Sequence, residues 1–229
     1  MSITSESSPG VHEENDNLCP TADVPKLHTS QIDDFGQAKI GEGTYGYVIR
    51  CRFRRTKKSP WENIAIKYAT DPSHRENLIK EAKIVFTHIR HTNCIRIIGL
   101  YECPVNGIGV VMELMECNLS HLLAKRTIDY KIDHAISWLY QLSDAMNYFH
   151  SKNYIHGDLK LQNLLLCKNY HVLKVGDFGT FTTQHSSVAT NRGTTITMAP
   201  ELIKDSRNYT TKCDIYSFGI IMWQIIARR

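Results

Sequence analysis

The sequence predicts an α+β chain of two lobes, a small sheet with one helix followed by a mostly helical half. Three observations predict it. The first half holds short runs rich in β-branched and aromatic residues, at 35–40, 47–54, 63–69, 95–101 and 109–114. One amphipathic stripe interrupts them near 75–88, with Leu78, Ile79, Ala82, Val85 and Phe86 at helical spacing. From residue 119 the pattern turns helical, over 119–124, 135–151 and 213–229. The expected division is a disordered segment over 1–30, a first lobe with its connector over 31–114, and a second lobe over 115–229. The opening segment is rich in Ser, Glu, Asn and Pro and poor in large apolar side chains, so it buries too little surface to fold.

Residues 40–48 read Ile-Gly-Glu-Gly-Thr-Tyr-Gly-Tyr-Val, a G-x-G-x-x-G-x-V pattern. The dinucleotide fold is a rival on the glycines alone, but there the glycines open a helix and an acid follows about 20 residues later. Here a strand-like run follows, and the charged residue after it is Lys67, in Ile-Ala-Ile-Lys. Backbone amides that cover phosphates, at Gly41, Gly43 and Gly46, and a lysine that grips them are parts of a phosphoryl-transfer site. The lysine needs a carboxylate partner. Glu81, in the middle of the helical stripe, is the expected one and Glu76 the rival, although a solvated glutamate is the ordinary fate of either.

Residues 155–164 read Ile-His-Gly-Asp-Leu-Lys-Leu-Gln-Asn-Leu, and residues 177–179 read Asp-Phe-Gly. Phosphoryl transfer from ATP needs the groups this pairing supplies. Asp158 would orient the attacking hydroxyl and accept its proton. Lys160 would neutralise the moving phosphoryl group. Asn163 and Asp177 would hold Mg²⁺ on the phosphates. Asp-Phe-Gly alone is a weak signal, but the full set at this spacing is a strong one. Between the lobes, the backbone of residues 112–115 (Met112, Glu113, Leu114, Met115) would bind the adenine edge.

Composition narrows the function classes. The 229 residues are 42% apolar and 22% charged with a net charge of +4, ordinary for a globular protein and too mild to imply nucleic acid. The basic run 50–58 falls between strand-like runs and reads as a solvated turn. Seven cysteines without a close pair, and no signal peptide, imply reduced thiols and a cytoplasmic protein. The longest apolar run, 215–227, contains Ser217 and Gln224 and is too short to span a bilayer, so it reads as a buried helix with no membrane role.

From about residue 32 onward the chain resembles a protein kinase. It is similar to the TGF-β-activated kinase branch of the MAP kinase kinase kinases, within the tyrosine-kinase-like group. Val-Met-Glu-Leu at 111–114, His-Ala-Ile-Ser-Trp at 134–138, Met-Ala-Pro-Glu at 198–201 and Lys-Cys-Asp-Ile-Tyr-Ser-Phe-Gly at 212–219 carry the likeness. The resemblance implies a two-lobe protein-kinase fold and serine/threonine phosphorylation with ATP and Mg²⁺. Its implied partners are protein substrates such as MAP kinase kinases and an activating adaptor protein. It implies that Lys67 binds the α/β-phosphates, that Ile40, Val48, Ala65 and Leu165 border the adenine, and that Met112 is the gatekeeper. It also implies that Val85, His156 and Phe178 form part of an internal stack, that Thr194 contacts Asp158 and Lys160, and that Asp214 holds the catalytic-loop backbone. Without the family, Asp214 would read equally well as a helix N-cap.

Departures bear on activity. Gly157 stands where the family carries arginine before the catalytic acid, and Ala189 stands at the principal phosphothreonine, beside Thr190. Phosphorylation of the activation segment should therefore control order less directly. The family continues beyond the helix that carries Asp214, so the second lobe is expected to be incomplete. These features favour a pseudokinase scaffold as the second reading, while the complete catalytic set favours an enzyme.

Overall fold

The computed structural model describes residues 23–43, 46–125, 128–183, 196–204 and 209–228. A six-stranded sheet comes first, from β1 (Lys26–Leu27), β2 (Ile32–Glu42), β3 (Gly46–Phe53), β4 (Glu62–Ala69), β5 (Ile97–Cys103) and β6 (Gly107–Glu113), in the order β1-β5-β6-β4-β3-β2. Helix α1 (Arg75–His88) packs Leu78 and Ala82 against Leu100 and Val110 of this sheet. The other face buries Ile49, Cys51, Phe53, Ile64 and Ile66, the alternation of a half-buried strand.

The second half contains β7 (Cys117–Asn118), α2 (Leu119–Ala124), α3 (Ile132–Ser151), β8 (Tyr154–Ile155), β9 (Leu164–Cys167), β10 (Val172–Val175), β11 (Thr182–Thr183), α4 (Pro200–Lys204) and α5 (Thr211–Ala227). Its core forms around α3, where Trp138, Leu142, Ala145 and Phe149 follow helical spacing and are all fully buried. Leu119, Leu122, Leu164, Leu166 and Ile221 close over them.

Four differences from the sequence reading have physical causes. Residues 1–22 lie outside the described residues, but 23–30 is not disordered. Val24 is buried against α1, the Leu100 N–H donates to Pro25 O at 2.8 Å, and β1 runs parallel to β5. Strand β5 begins two residues late because 93–95 bonds to β10 instead: Ile95 N–H to Val175 O at 2.9 Å and Val175 N–H to Asn93 O at 2.8 Å. Helix α3 begins at Ile132, with Asp133 in its first turn, where an acid favours the helix dipole. The run expected to be a buried helix is buried on one face only: Ile221 and Ile225 point inward, while Met222, Trp223 and Ile226 are exposed.

The six described cysteines are free. Burial pushes the Cys51 thiol up to about 11 and the Cys94 thiol up to about 12, so both are inert packing residues. Among the described residues no helix is long and apolar enough to cross a membrane.

The two faces of α3 should differ in their response to truncation. Leu142→Ala should cost about 2–5 kcal/mol in urea unfolding. Ile136→Ala, 57% exposed, should stay within about 0.5 kcal/mol of wild type.

Candidate active site

Lys67 lies on β4 opposite Val48 of β3 and Val110 of β6, so its side chain leaves the sheet beneath the glycine turn. The turn is closed by the Gly43 N–H, which donates to Gly46 O at 2.8 Å. At Gly46 the backbone packs so closely on β4 that a Cβ would stand 2.5 Å from Tyr68 O, which is why glycine is required there.

The inward stripe of α1 turns Glu81 toward Lys67, at 3.5 Å between Oε2 and Nζ, and leaves Glu76 exposed. Lys67 Nζ also lies 3.1 Å from Asp177 Oδ1. Glu81 Oε1 accepts the Phe178 N–H at 2.9 Å, so one carboxylate holds both the lysine and the backbone of Asp-Phe-Gly. Asp177 adopts a left-handed φ of 58°, and its side chain is 46% exposed.

On the other side of the cleft, Asp158 Oδ2 accepts from Lys160 Nζ at 2.6 Å and from Asn163 Nδ2 at 3.3 Å. Asn163 Nδ2 also donates to Asp158 O at 2.8 Å, which turns the side-chain oxygen Oδ1 toward a further partner. Asp214 shapes this loop. It is 1% exposed and accepts the His156 N–H, the Gly157 N–H and His150 Nε2, each at 2.9 Å. The N-cap of α5 is Thr210, which rules out the capping role for Asp214. Gly157 has φ 76°, where a side chain would be strained and would meet Tyr209 and Thr180.

The other expected residues take these places. Ala65 stands opposite Met112, Leu165 lies on β9, Met115 packs on the helical core, and Ile40 is half exposed on β2. Glu113 ends β6, and its carboxylate is taken up by Lys174 of β10 at 2.7 Å. Val85 and Phe178 share one core, and the His156 and Phe178 rings lie 5.4 Å apart. Two further rings join them. Phe149 and Phe181 meet Phe178 edge-on at 5.7 and 5.4 Å. Phe149 was legible as part of the α3 stripe. His150, Lys174 and Phe181 carried no local signal. Thr194 and the activation-segment positions Ser186, Ser187, Ala189 and Thr190 lie outside the described residues.

A cavity of about 50 Å³ lies behind Lys67 and Glu81, bordered by Leu78, Val85, Ile97 and Met112. Burial opposes charge on the three ionisable groups beside it. At Lys67, Glu81 and Asp177 outweigh burial and hold the ammonium above its usual range. At Asp177, Lys67 outweighs burial and holds the carboxyl below its usual range. At Glu81 burial prevails and raises it.

These directions predict a pH profile. A lysine raised in the folded state contributes stability that is whole below its ordinary 10.5 and is lost as pH rises through the folded value. The stability gap between wild type and Lys67→Met should therefore be flat from neutrality to about pH 10 and narrow above it. On the acid side it should narrow as Glu81, and then Asp177, take up protons. Urea unfolding across pH checks both arms.

The family profile for "Protein tyrosine and serine/threonine kinase" matches residues 36–228. The chain is 50% identical over 213 residues to mitogen-activated protein kinase kinase kinase mom-4 of Caenorhabditis elegans, covering 92% of this chain and 39% of that protein. It is 37% identical over 196 residues to mitogen-activated protein kinase kinase kinase 7 of Homo sapiens, covering 83% and 30%. It is 31% identical over 220 residues to the Drosophila melanogaster protein of that name, covering 91% and 31%. The chain thus spans well under half the length of these relatives. With the lysine, the two acids and the glycine turn converging on one cleft, and the match running almost the whole described length, the chain belongs to the protein tyrosine and serine/threonine kinase family.

Proposed function

We propose that this chain transfers the γ-phosphoryl group of ATP to serine or threonine hydroxyls of protein substrates, as a MAP kinase kinase kinase. The observation that carries the reading is the pair of ion clusters facing each other across the cleft, Lys67 with Glu81 and Asp177, and Asp158 with Lys160 and Asn163. Such a set positions and neutralises, which is most of what phosphoryl transfer asks of a protein. The names of the relatives, mitogen-activated protein kinase kinase kinases, support MAP kinase kinases as the substrate class. An adaptor that activates the kinase is part of the same reading. The free thiols support a reducing compartment, the cytoplasm.

In this reading Lys67 binds the α/β-phosphates, and Glu81 keeps it aimed there. Gly41, Gly43 and Gly46 bring backbone close to the phosphates, and Ile40, Val48, Ala65, Met112 and Leu165 border the base, whose polar edge meets the backbone of Glu113 and Met115. Asp158 orients the substrate hydroxyl and takes its proton as the oxygen bonds to phosphorus. The bond to the bridging oxygen breaks and ADP leaves. Lys160 compensates the charge on the phosphoryl oxygens. The exposed Asp177 carboxylate and the Asn163 side-chain oxygen fit a hard divalent cation, and Mg²⁺ held there would supply charge neutralisation on the phosphates.

Radioactive γ-phosphate transfer to a protein substrate tests the reading. Asp158→Asn should lower transfer by about 100- to 10,000-fold while ATP binding stays near wild type. Asp177→Asn should also weaken Mg²⁺-dependent ATP binding. A folded wild type that binds ATP yet transfers no more than Asp158→Asn decides for a scaffold. In thermal unfolding, ATP with Mg²⁺ at about 100 times its Kd should stabilise the protein by about 2.7 kcal/mol.

A further inference from the structure

Glu113 closes β6 at the connector between the lobes, and its carboxylate is committed. Oε1 accepts Lys174 Nζ at 2.7 Å and the Arg96 N–H at 2.8 Å. The Glu113 N–H in turn donates to Arg96 O at 3.2 Å. Both side chains of the pair are largely out of water, 16% exposed for Lys174 and 19% for Glu113. Lys174 stands directly opposite Leu165 in the β9–β10 ladder. It lies three residues before Asp177 on the same segment. The residues on either side of it are also tied across the lobes: Leu173 O accepts Asn93 Nδ2 at 2.8 Å, and Val175 bonds to both Asn93 and Ile95.

We propose that Lys174 is a positioning residue for the nucleotide: through Glu113 it fixes the connector backbone relative to Leu165 and Asp177. The inference rests on the reading of this cleft as an ATP site. The connector would offer its backbone to the base, Leu165 would lie against the base, and Asp177 would hold the cation on the phosphates. These three contacts sit on separate segments. A partly buried ion pair joins the first to the strands that carry the other two. Loss of one partner leaves the other charge uncompensated in a low-dielectric setting, so the connector should shift rather than tolerate the change. The effect belongs to ATP affinity, because Lys174 touches none of the groups assigned to proton or phosphoryl transfer.

The test compares wild type, Lys174→Met, Lys174→Arg and Glu113→Gln, with ATP-Mg²⁺ binding read by calorimetry and phosphate transfer read at varied ATP. Lys174→Met and Glu113→Gln should each raise Kd and KM for ATP by about three- to tenfold, with kcat changed less than about twofold. Lys174→Arg should restore most of the affinity. The double variant Lys174→Met/Glu113→Gln should be no weaker than the worse single one, as for two halves of one contact. An unchanged or tighter ATP affinity in Lys174→Met overturns the proposal, as do variants that lose thermal stability without weakening ATP. A wild type that binds no ATP instead removes the reading of the cleft itself.

Discussion

A cation held between two carboxylates organises this molecule. Lys67, Glu81 and Asp177 come from a strand, a helix and a loop. Each charge is costly to withdraw from water alone, and the lysine makes the two acids tolerable together. The sheet must therefore present Lys67 on the face that α1 covers, and α1 must turn Glu81 inward beside Leu78, Ala82 and Val85. Asp177 must hold a left-handed backbone, a conformation that persists only where its surroundings fix it. The Lys67 ammonium on its side chain and the Glu81 carboxylate on the next N–H supply that fixing.

A second frame holds the loop that carries Asp158. Asp214 reaches from α5 and takes two successive backbone N–H groups, with His150 as a third donor. Thr180 Oγ1 closes the frame by donating to His156 O at 2.6 Å. Gly157 suits it, since the loop needs a positive φ and the space beside Cα is taken by Tyr209 and Thr180. A glycine at this position thus meets the loop's need without backbone strain.

The two lobes meet through β10. Its residues bond to 93–95 on one side and to Glu113 on the other, and its end delivers Asp177. Aromatic packing continues the connection, with Phe178 against Phe149, His156 and Phe181. Movement of the helix or the connector would therefore be felt at Asp177, because packed interiors transmit displacement.

The sequence by itself determined the fold class, most elements and the set of residues in the cleft. Those signals are local. Glycines at fixed intervals mark a tight turn, Asp158, Lys160 and Asn163 fall within six residues, and an apolar stripe marks a helix wherever it packs. Other points were decided only by the tertiary structure. Glu81 rather than Glu76 faces Lys67, Asp214 binds a loop rather than capping its helix, residues 26–27 join the sheet, and Glu113 is bound to Lys174. In each case the deciding partner lies far along the chain: Lys67 and Asp177 are 110 residues apart, Gly157 and Asp214 are 57 apart. Periodicity tells which face of an element is apolar, and motifs tell which groups are present. Which charge meets which is fixed only when packing brings distant segments together and each buried charge must find a partner.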